Sequence, residues 1–90
     1  MANRVNAAHI LVKTESEADA ILEDLKKGKK FEEIAETKSL CPSGKEGGNL
    51  GWFEKGQMVK EFEDVCFSGK VGDIKKVKTQ FGWHIIKILG

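Results

Sequence analysis

The two most apolar segments of the chain lie near its two ends, and each carries one of its two histidines. The first segment is RVNAAHILVK, residues 4–13, and the last is GWHIIKIL, residues 82–89. Side chains of a β-strand alternate between its two faces, and in both segments both faces are apolar. A strand of this kind has to be covered on both sides. We therefore expect the first and last strands to pair at the centre of one sheet.

A helix is predicted directly after the first strand. The sequence TESE at residues 14–17 is typical of a capping box, in which the Thr14 hydroxyl and the Glu17 carboxylate bind unpaired backbone N–H groups. Gly28 is suited to end this helix in the left-handed conformation. The apolar stripe between them has the spacing of an amphipathic helix and consists of Ala18, Ile21, Leu22 and Leu25.

Further elements follow in the second half of the chain. Phe31, Ile34 and Ala35 predict a shorter helix that ends near Ser39. A third helix is predicted over residues 58–67, with Met58 and Phe62 on one face and Gly69 as its cap. Short strands are predicted at residues 49–53 and 74–79. The order strand, helix, helix, short strand, helix, strand, strand predicts an α+β fold with a small antiparallel sheet.

Length and charge limit the possible functions. Ninety residues form one domain, residues 1–90, with a single modest core. The net charge is +1, which argues against a nucleic-acid or membrane partner attracted by the protein's field. No apolar run approaches the roughly 20 residues that span a bilayer. The first residues show no apolar signal-peptide segment, so the expected location is the cytoplasm.

The cysteines and histidines admit several interpretations. Zinc is disfavoured because the four side chains stand singly at positions 9, 41, 66 and 84 rather than in close pairs. Reduced thiols are favoured over a disulfide in a cytoplasmic protein. Cys66 fits a small core side chain, whereas Cys41 lies in a polar loop before Pro42 and could act as a nucleophile with a histidine base. The two histidines could be structural core residues or parts of a functional site.

One loop has an unusual composition. The segment CPSGKEGGNLGWFEKGQM, residues 41–58, holds the only proline and five of the ten glycines. It lacks the residues of a phosphate-binding loop. Its glycines allow sharp turns beside Cys41, and its apolar residues could form a pocket wall.

Three segments together resemble the parvulin family of peptidyl-prolyl cis/trans isomerases. They are HILV at residues 9–12, CPSGKEGGNLGWFEKGQMVKEFEDVCF at residues 41–67 and TQFGWHIIK at residues 79–87. The resemblance covers essentially the whole chain, in order, and is greatest to the stand-alone, PpiC-like parvulins of microbes. It implies an FKBP-like fold in which helices surround a four-stranded antiparallel sheet.

The resemblance also implies a site, with no cofactor and no metal. The polar residues that it implies at the reacting amide are His9, Cys41, Thr79 and His84. It implies a proline pocket made of Leu50, Met58 and Phe62, with a further rim at Gln80 and Phe81. The implied activity is rotation about X–Pro bonds in proline-containing peptides and folding proteins, by a monomer and without a covalent intermediate.

The sequence departs from the family at two places. Glu61 stands where many relatives have a proline before the pocket phenylalanine. The phosphorylation-directed branch has a basic loop after the first strand, whereas here Lys13 leads into the acidic residues 14–17. Such a segment repels a phosphate, so we expect no preference for phosphorylated substrates.

A second function class stays open beside the enzyme. The same apolar pocket would serve a binding module or chaperone that holds proline-containing or apolar segments without turning them over. A binder needs the apolar wall but not four polar groups beneath it, and this difference favours the enzyme. A cysteine hydrolase would also need an oxyanion hole, which the sequence does not indicate.

Overall fold

The computed structural model describes residues 4–90, except for the side chain of Ser43; the first three residues of the predicted domain lie outside the described part. The strands are β1 (Arg4–Val12), β2 (Asn49–Glu54), β3 (Ile74–Thr79) and β4 (Gly82–Ile88). The helices are α1 (Glu15–Lys26), α2 (Phe31–Lys38) and α3 (Lys60–Ser68). A short 3-10 helix, Pro42–Glu46, lies within the glycine-rich loop and was not predicted.

The four strands form one antiparallel sheet in the order β2-β1-β4-β3. The first and last strands are therefore the central pair, which confirms the prediction from their apolar faces. Their register places His9 opposite Ile86 and Leu11 opposite His84. The two histidines are thus diagonal neighbours on adjacent strands, close enough for their side chains to meet.

Two apolar clusters cover the two faces of the sheet. Helices α1 and α2 pack on the face that carries Ala8, Ile10 and Ile85. Helix α3 packs on the other face, against side chains that include Ala7 and Ile86. The alternation predicted along β1 is confirmed, and His9 lies on the face toward α3. The cavity described below is lined by residues of this face and of α3.

Helix α1 begins and ends close to the predicted positions. The Thr14 hydroxyl accepts a hydrogen bond from the backbone N–H of Glu17, as expected of an N-cap. The Glu17 carboxylate accepts from the Thr14 hydroxyl at 3.0 Å instead of from a backbone N–H. The second bond of the predicted box is therefore between side chains. Gly28 follows the helix with a positive φ of 98°.

Helix α3 begins later than the sequence predicted. Val59 is its N-cap and has an extended backbone, so Met58 precedes the helix and does not share a helical face with Phe62. Two side chains fix the turn before it: Gln57 accepts from the N–H of Glu54, and Glu63 accepts from that of Gly56. These bonds hold the turn in a non-helical shape, yet Met58 still packs against the α3 cluster.

The ends of α3 differ in detail from the prediction as well. Gly69 is the C-cap, and its N–H bonds to the carbonyl of Val65, but its φ of −86° is not left-handed. Glu61 lies in the first turn of α3 and is exposed. A glutamate suits this position because the positive end of the helix dipole attracts an acidic side chain. Phe62 follows it and is buried, 3% exposed.

Strand β2 contains a β-bulge that the sequence pattern does not reveal. Gly51 and Asn49 pair with the consecutive residues Ala7 and Ala8, so Leu50 between them has no opposite residue. Gly51 has a positive φ of 73°, a conformation that side chains rarely tolerate. The bulge turns Leu50 toward the α3 face.

Both cysteines lie within the described residues and are present as thiols. Cys66 is buried in α3 beside the apolar cluster, as predicted, and burial raises the pKa of its thiol to about 12. Within residues 4–90, no three side chains of the kinds that bind metals come together. Among the described helices, none has the length and apolar character that crossing a bilayer requires.

Candidate active site

The two histidines form a hydrogen-bonded pair in the floor of the open sheet face. Their Nδ1 atoms lie 2.9 Å apart, and the rings are almost parallel, with an angle of 15° between their planes. Both side chains are buried, with exposed fractions of 5% for His9 and 4% for His84. Because two Nδ1 atoms face each other, one must donate a proton and the other must accept it.

Thr79 extends this hydrogen-bonded pair on the side of His84 that does not face His9. Its Oγ1 lies 2.7 Å from Nε2 of His84 and also accepts a hydrogen bond from the backbone N–H of Phe81. The position follows from the register, since Thr79 ends β3 opposite Gly82 at the turn into β4. The hydroxyl therefore reaches the far side of the His84 ring.

The hydrogen bonds that join His9, His84 and Thr79 can run in either of two directions, which differ in which atom donates. If His84 carries its proton on Nδ1, it donates to His9, and its Nε2 accepts the Thr79 hydroxyl proton. If the His9 Nδ1 carries the proton instead, His84 accepts there and donates from Nε2 to the Thr79 oxygen. Both arrangements use the same atoms and satisfy the same contacts. Reversing the direction moves no heavy atom, but it requires one proton to leave Nε2 of His9 and one proton to reach Oγ1 of Thr79.

Burial keeps both rings neutral. It lowers the pKa of His9 to about 4, with a further contribution from the positive charge that His84 would carry. Burial also lowers the pKa of His84. Charging one ring would bury a positive charge, and charging both would put two protons between the facing Nδ1 atoms, so both shifts agree with the geometry. At neutral pH the floor of the site offers polar but uncharged groups.

Phe62 joins the histidine pair to the apolar wall of a cavity. Its ring meets both imidazoles edge to face, with centroid distances of 5.5 Å to His9 and 5.3 Å to His84. The cavity has a volume of about 470 Å³, within the usual range for small-ligand sites. Its lining consists of His9, Leu11, Leu40, Cys41, Pro42, Leu50, Gln57, Met58, Val59, Phe62, Phe81 and His84.

Most of the predicted site residues meet at this cavity. Of the predicted polar set, His9, His84 and Cys41 line it, and Thr79 lies outside the lining but is bonded to His84 and to the N–H of Phe81. The predicted pocket residues Leu50, Met58 and Phe62 all line it, and so does Phe81, which is 61% exposed at the rim. Gln80 is exposed in the turn between β3 and β4, outside this lining, and its substrate-binding role stays a prediction.

The structure adds lining residues that the sequence interpretation missed. They are Leu11, Leu40, Pro42, Gln57 and Val59. Leu11 could have been found, because it lies two residues after His9 on the same strand face. Gln57 and Val59 flank Met58, and Leu40 and Pro42 flank Cys41, so both pairs are chain neighbours of predicted site residues. Leu40 is 54% exposed, and only its position in the fold distinguishes it from an ordinary surface leucine.

The glycine-rich loop brings Cys41 and Leu50 to the same cavity. The 3-10 helix after Cys41 leads to Gly48, whose carbonyl accepts a hydrogen bond from the backbone N–H of His9 at 2.9 Å. A Cβ at Gly48 would collide with the carbonyl oxygen of His9, so only glycine fits there. The loop can therefore lie directly against the strand that carries the histidine.

The arrangement suits non-covalent chemistry on an apolar group with a polar neighbour. The cavity can exclude water from a ring-sized apolar group, while the neutral histidine network can donate or accept a hydrogen bond at its floor. Both backbone N–H groups of the Leu40–Cys41 segment are already bonded, to Leu11 and to Ser39. These two N–H groups therefore do not form an oxyanion hole beside the Cys41 thiol.

A family model and curated proteins both match this chain over nearly its whole length. A family model described as the PPIC-type PPIASE domain matches residues 1–90. The foldase protein PrsA of Geobacillus sp. is 48% identical over 87 residues, which cover 94% of this chain and 32% of that protein. The chain spans about a third of the length of the curated relatives it matches.

Solved structures agree with these matches. The peptidylprolyl isomerase PrsA of Bacillus anthracis superposes with a TM-score of 0.94 at 42% identity, over 97% of this chain and 41% of that chain. NmPin, the parvulin of Nitrosopumilus maritimus, gives a TM-score of 0.90 at 48% identity, over 100% of this chain and 99% of that chain. These likenesses confirm the four-stranded parvulin fold. The chain therefore belongs to the PpiC-type peptidyl-prolyl isomerase domains, the parvulins.

Proposed function

We propose that this chain is a peptidyl-prolyl cis/trans isomerase that accelerates rotation about X–Pro bonds. The observation that carries the proposal is the apolar cavity with a neutral, reversible histidine pair in its floor. The family and the relatives named isomerase or foldase support it.

The apolar wall would bind the pyrrolidine ring of the substrate. An X–Pro bond isomerises unaided in tens to hundreds of seconds, because twisting it removes the amide resonance. Leu50, Met58 and Phe62 line a space large enough for the ring and keep water from the amide. The twisted amide is less polar than either planar form, so a dry, apolar cavity favours it. Lowering the barrier by about 5–6 kcal/mol would accelerate the reaction roughly 10⁴-fold.

The polar groups in the cavity floor would change their hydrogen bonds as the substrate carbonyl rotates. Only contacts that are stronger in the twisted state than in the planar states accelerate the reaction. The network of His9, His84 and Thr79 can present a donor in one direction and an acceptor in the other at unchanged heavy-atom positions, with a proton exchanged at Nε2 of His9 and at Oγ1 of Thr79. Cys41 contributes a polar side chain at the wall, and the proposed mechanism needs no covalent bond to it.

The proposed substrates are unphosphorylated. The first turn of α1 carries exposed Glu15 and Glu17, and Lys76 is bonded to Glu15 and Asp19. The only arginine of the chain, Arg4, begins β1 and is a whole strand away from that turn. A phosphate before the proline would find acidic groups rather than a guanidinium pair.

The proposed partners are proline-containing peptides and unfolded or folding proteins. The exposed apolar rim of Leu40 and Phe81 fits segments that are not yet buried in a native core. We also propose that the chain acts as a monomer in the cytoplasm, without a nucleic-acid or membrane partner. The near-neutral charge of +1 supports the part of this proposal that concerns nucleic acid and membranes, because the protein's field would attract neither.

The test is the exchange between the cis and trans signals of a short X–Pro peptide, observed by NMR. In such peptides the cis form makes up roughly 10–30%, so both signals are visible. Micromolar protein should accelerate the exchange and shift the NMR signals of the histidines and Phe62. Shifted protein signals without faster exchange would contradict the enzyme and favour the binding module or chaperone. Absence of both effects in a folded protein would contradict both functions.

A further inference from the structure

We propose that Ser39 is a positioning residue for Cys41: its hydroxyl fastens the segment that carries Cys41 to strand β1 and thereby holds Cys41 at the cavity wall. Ser39 lies between α2 and the 3-10 helix and is not among the residues that line the cavity. It therefore acts through its neighbour. The proposal deepens the proposed isomerase function and rests on it.

The Ser39 oxygen accepts two backbone hydrogen bonds. One comes from the N–H of Leu11 at 3.1 Å, and the other comes from the N–H of Cys41 at 3.3 Å. Between them, the N–H of Leu40 donates to the carbonyl of Leu11 at 2.8 Å. The segment 39–41 is thus bonded to both backbone groups of Leu11, and one side-chain oxygen closes this connection.

The register of the sheet explains why a side chain is needed here. The pairing of β1 with β2 ends at Ala8, and the next N–H on that side, from His9, bonds to the Gly48 carbonyl. Alternate N–H groups of a strand point to the same side, so that of Leu11 also points away from β4. Strand β2 no longer reaches it. The Ser39 hydroxyl supplies the acceptor that a longer neighbouring strand would otherwise provide.

The same bonds connect Cys41 to the histidine pair. Leu11 lies opposite His84 in the pairing of β1 with β4, and it is two residues from His9 on the same face. A shift of segment 39–41 relative to Leu11 would therefore move Cys41 relative to both imidazoles. Small displacements of this kind affect catalysis strongly, because a catalytic constellation requires defined geometry.

The packing behind Ser39 leaves the segment little room. A Cβ placed on Gly44 would lie 2.9 Å from the Cβ of Ser39 and 2.6 Å from the carbonyl oxygen of Ala35. The 3-10 helix therefore lies tightly against Ser39, and its N-terminal bond joins the N–H of Gly44 to the carbonyl of Cys41. Cys41 is held from both sides, through Ser39 and through this turn.

The decisive experiment is a double-mutant cycle on isomerisation kinetics. Ser39→Ala should lower kcat/KM roughly fivefold or more in the wild-type background, but less than about twofold when Cys41 is already alanine. Ser39→Thr keeps the hydroxyl and should restore most of the rate. An equal loss in both backgrounds would show a general structural role and would overturn the proposal. An unchanged rate in Ser39→Ala would also overturn it.

A second measurement does not depend on isomerase activity. In Ser39→Ala the amide protons of Leu11 and Cys41 should exchange at least about tenfold faster, because each loses its acceptor. The alkylation rate of the Cys41 thiol should change, while the buried Cys66 stays unlabelled in the folded protein. Unchanged exchange at both amides would overturn the proposal even in an active enzyme. If the wild-type protein has no isomerase activity, the proposed function fails, and the exchange data still decide whether Ser39 holds Cys41.

The matched control is Thr37→Ala. Thr37 also carries a hydroxyl near the end of α2, but its Oγ1 donates to the carbonyls of Glu33 and Ile34 within its own helix. This variant should leave kcat/KM, the exchange of the Leu11 and Cys41 amides and the alkylation of Cys41 unchanged. Equal changes in Thr37→Ala and Ser39→Ala would contradict the specific role of Ser39.

Discussion

His9 and His84 are 75 positions apart in the chain, yet their Nδ1 atoms share one proton at a distance of 2.9 Å. The central pairing of β1 with β4 creates this contact, and the Phe62 ring closes over both imidazoles. Because both rings are buried, a positive charge on either of them is costly, and the pair is most stable while both rings are neutral. The first prediction follows from this relationship.

Acid should destabilise the fold through His9. The unfolded chain binds a proton at this side chain near pH 6.5, whereas the folded protein binds it only near pH 4. Between these values the unfolded state holds more protons, so stability falls as the pH falls. The complete shift corresponds to a loss of about 3 kcal/mol. Urea unfolding at about pH 7, 5.5 and 4 measures this loss. An NMR titration that places the pKa of His9 at or above 6.5 would contradict the prediction.

Removing the Thr79 hydroxyl should disturb the direction of the histidine network. In Thr79→Val, Nε2 of His84 loses its partner in a buried place, which costs about 1–3 kcal/mol of stability. We expect roughly tenfold slower isomerisation and altered ¹⁵N chemical shifts of His84. Thr79→Ser keeps the oxygen and is the matched control. Equal rates in the valine and serine variants, both folded, would show that the hydroxyl does not contribute.

The arrangement of the main elements could be predicted from local patterns. The apolar faces of β1 and β4, the spacing of Ala18 and Ile21 in α1, and the cap at Thr14 each depend on neighbouring residues in the chain. Two strands that are apolar on both faces have one stable place, the centre of the sheet. In the structure, the pairing of these strands brings His9 and His84 into contact.

The details of the cavity depended on bonds that sequence patterns do not encode. Simple alternation would place Leu50 and Trp52 on the same face, but the bulge at Leu50 separates them. Met58 has helical spacing to Phe62, yet bonds from Gln57 and Glu63 keep the preceding turn out of the helix. The role of Ser39 depends on where β2 stops pairing with β1, which is a tertiary property.

Shortening Leu50 should weaken proline binding. Leu50→Ala removes part of the apolar wall, so we expect KM to rise about three- to tenfold, with a smaller effect on kcat. The matched control is Trp52→Ala on the same strand. Trp52 is 57% exposed and lies outside the cavity lining, so its loss should leave both constants unchanged. Steady-state kinetics at several peptide concentrations measures both constants. A higher KM in Trp52→Ala than in Leu50→Ala would contradict the assigned pocket.

A phosphate before the proline should not accelerate turnover. The acidic residues Glu15 and Glu17 are exposed in the first turn of α1, and like charges disfavour a phosphorylated side chain there. An apolar residue before the proline should be accepted at least as well as phosphoserine. The measurement compares kcat/KM for matched peptides with Ser-Pro, phosphoserine-Pro and Leu-Pro. A phosphopeptide turned over ten times faster than its unmodified parent would refute this specificity.

Replacing Cys41 distinguishes a polar role from a nucleophilic one. Cys41→Asp keeps a polar acceptor at the cavity wall and should retain substantial activity, whereas Cys41→Ala should cost more. The new carboxylate would face a cavity whose floor holds His9 and His84, so it should raise their pKa values and move the acid limb of the pH–rate profile to higher pH. Kinetics from about pH 5 to 8 on folded variants measures both effects. Complete loss of activity in a folded Cys41→Asp protein, together with a trapped adduct between the wild-type thiol and the carbonyl carbon of the intact X–Pro bond, would establish a covalent mechanism instead. A retained rate with the shifted profile would show that the thiol acts through its hydrogen bonds and its field.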